Sequence, residues 1–170
     1  EIELATYDDI LSHLINTFDE TDLTKNYALT ADIDLTGKLW NAMIGSGTEG
    51  EGVFVGTFNG RGHKIFGVEG GSAAANFGLF KRIGKNGTVK NLEVVTGGRG
   101  IYGGNDSALF ASVNDGTIEN VIVSGEVMGT GTNVAGFVCQ NNGTIRNSVS
   151  LVKVFMSESQ TAATTNAIAK

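Results

Sequence analysis

Proline is absent from this chain, cysteine occurs once, and no signal-type apolar run opens it. A chain without proline suits a backbone whose N–H groups are mostly committed to ladders, because proline removes a donor. The single cysteine, Cys139, excludes an internal disulfide framework and a cysteine-rich zinc site. The two histidines, His13 and His63, form no His-x-x-x-His pair or Cys/His cluster, so the sequence points to no metal centre and no cofactor. Aromatic residues make up 8% of the chain and most are Phe, which leaves little for an open stacking platform. Lys and Arg number 12 against 18 Asp and Glu, and no basic stripe exists, which argues against nucleic acid as a partner. Hydrophobic content of 41% is ordinary, suggesting neither disorder nor membrane insertion by this segment.

Glycine is what the chain has in excess, at 25 of 170 residues. The glycines have no collagen period and lie among Asn, Asp and Thr, which is turn chemistry repeated many times. One phrase recurs: Gly87-Thr88-Val89-Lys90-Asn91, Gly116-Thr117-Ile118-Glu119-Asn120 and Gly143-Thr144-Ile145-Arg146-Asn147, at offsets of 29 and 27 residues. A Phe precedes each phrase (Phe80, Phe110, Phe137), and an alternating apolar run follows each Asn. Short strands separated by Gly/Asn turns cannot hold a meander alone, but can pair in parallel with equivalents one coil away. The expected fold is therefore all-β, a right-handed parallel β-helix (β-solenoid) with coils of about 24–29 residues. Phe80, Phe110 and Phe137 should stack inside, as should Val89, Ile118 and Ile145. Asn91, Asn120 and Asn147 share one register, which predicts an internal amide ladder or, more simply, left-handed turn residues. Cys139, two residues after Phe137, is expected on the inward face.

An earlier, looser coil spans Phe54 to Val68; aligning Ile65 with Val89 puts Gly67 where later coils have Asn. Thr6-Tyr7-Asp8-Asp9, followed by Ile10, Leu11, Leu14 and Ile15, carries a helix-start signal and helical apolar spacing. A short helix there would cover one end of the stack, as solenoids require. The expected organisation is an N-terminal cap with a short helix over 1–25, solenoid repeats over 26–155, and a polar tail or further coil over 156–170. Thr165-Asn166-Ala167 echoes Thr132-Asn133-Val134, so the segment reads as a fragment of a longer chain.

The residues Tyr27-Ala28-Leu29-Thr30-Ala31-Asp32-Ile33-Asp34-Leu35, Trp40, Ile44-Gly45, Gly56 to Ile65 and Gly78-Leu79-Phe80 resemble the GLUG-motif repeat proteins. The Gly-Thr-Ile-x-Asn phrases are also typical of that group, and the resemblance covers about residues 1–152. It departs at Trp40-Asn41-Ala42-Met43-Ile44-Gly45, which lacks the usual Pro before Ile-Gly. The resemblance implies a β-helix module of a secreted or surface-attached bacterial protein, an adhesin or the flank of a surface peptidase. The family supplies no agreed catalytic residues.

Candidate chemistry is sparse. Asp32 and Asp34 alternate with Ile33 and Leu35, so both carboxylates face one side. Such a pair could do acid/base work or bind Ca²⁺, but a polar strand face bonded to the next coil is the simpler reading. His63 follows Gly62 in a turn, and His13 lies on the capping helix. Gly97-Gly98-Arg99-Gly100 is not followed by Lys-Ser/Thr opening a helix, which rules out a phosphate loop. Asn86-Gly87-Thr88, Asn105-Asp106-Ser107 and Asn142-Gly143-Thr144 match the glycosylation sequon, although turn chemistry also explains them. Thr88, Thr117 and Thr144 recur in register, yet Lys90, Glu119 and Arg146 in the same phrases spoil the flat face that ice binding would need. The expectation is a non-catalytic structural or adhesive module, a stalk, display or adhesion segment on a cell surface or in a secreted protein. A glycan-binding module, using Trp40, Tyr102 and the loops 45–52 and 97–106, is the alternative; a polysaccharide-cleaving β-helix enzyme is the third. The partners that follow are an extracellular glycan or a host or surface protein.

Overall fold

Alternating apolar and polar residues in segments bounded by Gly and Asn give strands with one inward face, and each strand finds its partner one coil away. The computed structural model describes residues 1–15, 20–38, 43–45, 52–72, 76–156 and 165–166. Along the chain these form β1 (Ile2–Leu4), a one-turn helix α1 (Tyr7–Ile10), β2 (Asn26–Leu29), β3 (Ile33–Asp34), β4 (Thr57–Asn59) and β5 (Lys64–Ser72). There follow β6 (Phe80–Ile83), β7 (Thr88–Gly103), β8 (Ser107–Ala108), β9 (Ala111–Asn114) and β10 (Thr117–Gly129). The last are β11 (Val134–Ala135), β12 (Val138–Asn141), β13 (Thr144–Arg146), β14 (Val149–Met156) and β15 (Thr165–Asn166).

All ladders between these strands are parallel. The chain is a β-solenoid of about 5 turns. The largest sheet runs β1-β2-β4-β7-β10-β13, with β3, β5 and β14 continuing it around a corner. Two three-stranded sheets, β6-β9-β12 and β8-β11-β15, close the remaining sides.

One inward file fixes the register: Ile2, Tyr27, Phe58, Val89, Ile118 and Ile145 pair in succession, at offsets of 25 to 31 residues. Phe58, not Ile65, is thus the partner of Val89, and Ile65 pairs with Val94 beyond the corner. The shorter spacing suggested by Ile65 fails because the turn at Gly60-Arg61-Gly62 occupies the place of one Asn in later coils. Gly60 donates to the Lys90 carbonyl and Gly62 to that of Asn91, so this turn aligns with the Asn91 corner, and Gly67 does not.

Phe80, Phe110 and Phe137 are fully buried, as expected, with ring centroids 5.6 and 5.3 Å apart in succession. Phe54 and Phe58 extend the stack, at 5.4 and 5.7 Å from Phe80. Asn91, Asn120 and Asn147 take left-handed conformations at φ 55°, 54° and 50°. A single left-handed residue bends the chain between faces without breaking the ladder on either side, so β7 and β10 run for 16 and 13 residues instead of as three- to five-residue pieces. The stretch 97–103, expected as loop, belongs to β7. Its glycines form a bulge, since Val95 pairs with Ser124 while Ile101 pairs with Val127.

The N-terminal helix forms where the start signal lies. Thr6 caps it, accepting from the Asp9 N–H, while Asp9 accepts from the Thr6 N–H at 2.9 Å. The α-turn passes into a π-turn over Leu11–Ile15, which brings Ile10 and Leu14 into the core. β1 precedes the helix and pairs with β2, so the sheet already begins at Ile2. Near the other end, Thr165 pairs with Val134 and Asn166 with Ala135, two residues off the register that the sequence echo implies.

Candidate functional site

The two aspartates of the predicted polar face do different work. Asp32, exposed just before β3, accepts through Oδ1 from the backbone N–H of Lys64 at 3.0 Å and meets His63 Nδ1 at 3.1 Å. The Lys64 N–H, more than the His63 ring, holds its carboxyl below the usual carboxylate range. Asp34 accepts from the Thr36 N–H at 2.8 Å, and Thr36 likewise lowers its pKa. One carboxylate thus ties its coil to the next and the other closes its own turn. Among the described residues no group of three His, Cys, Asp or Glu is placed to hold a metal ion.

His63 closes the turn with its N–H on the Gly60 carbonyl, as a turn residue should. Arg61 beside it, at φ 52°, reaches across the intervening coil to pair with Glu1 and, at 3.4 Å, with Glu3. His13 sits against the Tyr27 ring at 6.2 Å between centroids. Tyr27 itself is buried and donates to the Asp22 carbonyl at 2.9 Å; burial pushes its phenol up to about 12.

An asparagine ladder exists, but on an outer corner. Asn91 Nδ2 donates to Asn59 Oδ1 at 3.0 Å, and Asn120 Nδ2 donates to Asn91 Oδ1 at 3.1 Å. Asn120 and Asn147 are exposed, so this file is not internal. The interior amide belongs to Asn114, which is fully buried, donates to Asn141 Oδ1 at 2.7 Å and accepts from the Gly116 N–H at 3.2 Å. The signal for it was the Asn three residues before each Thr, in Asn114-Asp115-Gly116-Thr117 and Asn141-Asn142-Gly143-Thr144. A further cross-coil pair joins Asn133 Nδ2 to Asp106 Oδ1 at 2.8 Å.

Cys139 is buried, but not in the main core. It lies with Ala108 and Ala135 in a separate small cluster, its thiol donating to the Asn133 carbonyl at 2.9 Å. The chain is β-paired there (Val138 with Ala111, Gln140 with Val113), so Val138 takes the inward position and Cys139 the opposite one. Asp106, Asn133, Cys139 and Gln140 line a shallow cleft of about 250 Å³. In the file below, Lys81 is half-buried; burial pushes its amine down, and the Asp106 charge opposes that shift.

The outward face of the largest sheet carries two files that could meet other molecules. Thr57, Thr88, Thr117 and Thr144 stand in one register. Beside them run Lys90, Glu119 and Arg146, with Arg146 paired to Glu119 at 2.9 Å, so charge does interrupt the face. Past the bulge, Tyr102, Met128 and Phe155 pair in register and are each about two-fifths exposed. That file escaped sequence reasoning because the bulge changes the spacing between Tyr102 and Met128. Trp40 lies outside the described residues, as do 46–51 of the loop expected beside it. Among the described residues no helix is long and apolar enough to cross a membrane.

No family model and no solved structure matches the chain. Over 133 residues, 72% of this chain, it is 32% identical to Halomucin of Haloquadratum walsbyi (strain DSM 16790 / HBSQ001). The chain spans about 1% of the length of that relative. A β-solenoid with a distant likeness to a small part of so long a protein is compatible with a structural surface module.

Proposed function

We propose that this β-solenoid is a non-catalytic spacer or display module of a secreted or surface-attached protein, of the GLUG-motif kind that its phrases resemble. One observation carries the reading: polar side chains that could have served a site, Asp32 among them, are spent on joining coils. Asp32 goes to Lys64, Asn91 to Asn59, Asn120 to Asn91, and Asn133 to Asp106. Groups engaged in this way set the register and stiffen a rod that lengthens by about 4.8 Å per coil. The likeness to a segment of Halomucin, a far longer chain, supports the same reading. Antibody labelling of intact source cells tests the location: signal without permeabilisation is expected, and signal only after it would refute a surface role. Incubation of the folded domain with a panel of polysaccharides tests the absence of catalysis, and turnover abolished by Asp32→Ala with Asp34→Ala would overturn it.

A second reading, glycan binding, has the exposed Tyr102–Met128–Phe155 file in its favour. Aromatic rings on a sheet face suit the apolar faces of sugars. A glycan array in which binding is lost on Tyr102→Ala, with circular dichroism unchanged, would promote it above the spacer.

A further inference from the structure

The three sequons are not equivalent once the chain is coiled. Asn105-Asp106-Ser107 has its hydroxyl inside: Ser107 is fully buried, and its Oγ accepts from the Phe77 N–H at 2.9 Å. Asn105 is itself engaged, its Oδ1 accepting from the Thr132 N–H at 2.8 Å and from the Thr132 hydroxyl at 3.2 Å. In Asn142-Gly143-Thr144 the amide nitrogen is committed, since Asn142 Nδ2 donates to Asp115 Oδ1 at 2.8 Å.

Asn86-Gly87-Thr88 differs on each count. Asn86 is exposed in the turn that the Gly87 N–H closes on the Gly84 carbonyl at 2.8 Å. Its side chain makes no hydrogen bond among the described residues. Thr88 begins β7 in the outward threonine file, so its hydroxyl faces the same solvent as the turn. A substituent on Asn86 Nδ2 would project from an exposed turn of the solenoid and displace no hydrogen bond among the described residues.

We propose that Asn86 is the acceptor for an N-linked glycan, the chemistry being transfer from a lipid-linked oligosaccharide. In that step Asn86 Nδ2 bonds to the anomeric carbon of the donor sugar. The bond from that carbon to the phosphate oxygen breaks, the lipid pyrophosphate departs, and one amide proton passes to the transferase. The inference rests on the secreted or surface reading above, since the donor and transferase face that compartment.

The experiment imposes the compartment, so the two readings fail separately. The chain is expressed behind a secretory leader in a cell that performs N-glycosylation, and secreted material is compared before and after enzymatic deglycosylation. A single mobility shift is expected, lost in Asn86→Gln and in Thr88→Ala, and kept in Thr88→Ser, Asn105→Gln and Asn142→Gln. Peptide mapping should find the Asn-to-Asp conversion left by deglycosylation at position 86, and the urea midpoint should be the same with and without the glycan. Secreted protein that shows no shift overturns the proposal while leaving the spacer reading intact. A shift that survives Asn86→Gln, or equal occupancy at Asn105 or Asn142, also overturns it.

Discussion

Truncating the phenylalanine stack gives a graded test of how the interior is held. Phe80, Phe110 and Phe137 are each fully buried, so each Phe→Ala change forfeits the same apolar transfer and opens a comparable cavity, about 3–5 kcal/mol by general experience. They differ in ring partners among the described residues: Phe80 meets Phe54, Phe58 and Phe110, Phe110 meets Phe80 and Phe137, and Phe137 meets Phe110. An aromatic pair adds about 0.5–1.5 kcal/mol beyond area burial. Phe80→Ala should therefore cost about 1–3 kcal/mol more than Phe137→Ala, with Phe110→Ala between. For a domain whose whole stability is about 5–15 kcal/mol, Phe80→Ala brings the fold near its limit. Urea titration followed by far-ultraviolet circular dichroism measures the three losses, and Phe→Leu variants serve as controls that keep most of the volume. Three equal losses, or the largest loss at Phe137, would refute the claim that ring-to-ring contact between coils adds to burial.

Other positions test other parts of the structure. Asn114→Ala strands the buried groups it satisfied and should cost about 1–3 kcal/mol, whereas Asn120→Gly, which keeps the left-handed corner and removes only an exposed amide, should cost under about 1 kcal/mol; thermal melts separate them. Gly56→Ala would drive a Cβ into the Lys25 carbonyl of the adjoining coil, while Gly62→Ala meets nothing within 4 Å and bears only its φ of +85°. The first should cost well above the second, which is set at about 1–2 kcal/mol by left-handed strain alone, and chemical denaturation reads the difference. Asp9, Asp32 and Asp34 all have folded-state pKa values below the ordinary 3.8, so their stabilisation is full above that value and is lost as pH falls through the lowered ones. Melting temperature should then drop on that acid limb, and Asp→Asn at the three sites should flatten it. At the alkaline end, Tyr27 keeps its proton to about 12 in the fold against 10.0 unfolded, so stability declines as pH rises between them, and Tyr27→Phe should remove that decline.

The fold was legible because its signals repeat. Three Gly-Thr phrases fixed the later coils, and the Phe positions before them fixed the inward face. The first coils were harder, since one turn, Gly60-Arg61-Gly62, substitutes for the Asn corner and makes Ile65 look like the counterpart of Val89. A strand that bends through one left-handed Asn and continues is also invisible to pattern reading, which sees a turn residue and ends the strand. The same holds for Gly97 to Gly100: a glycine run reads as loop, while the parallel partners on both sides keep it in the sheet as a bulge.

Function was less legible for a related physical reason. In a solenoid the neighbours of a side chain belong to the adjacent coils, 25 to 31 residues away, so an outward surface is composed only when the register is known. A miscount of one residue moves a whole file to the other face of the sheet. Asn91, taken alone, suggests an internal ladder; the register puts it on a corner and gives the interior place to Asn114. Tyr102 alone is an isolated aromatic, and only the pairing with Met128 and Phe155 makes it part of an exposed strip. The chain's chemistry is thus a property of files across coils, and a substitution meant to probe function has to be chosen by file. Changing Tyr102 tests a strip, whereas changing Asp32 or Asn91 tests the joint between two coils and should be read in stability before it is read in binding.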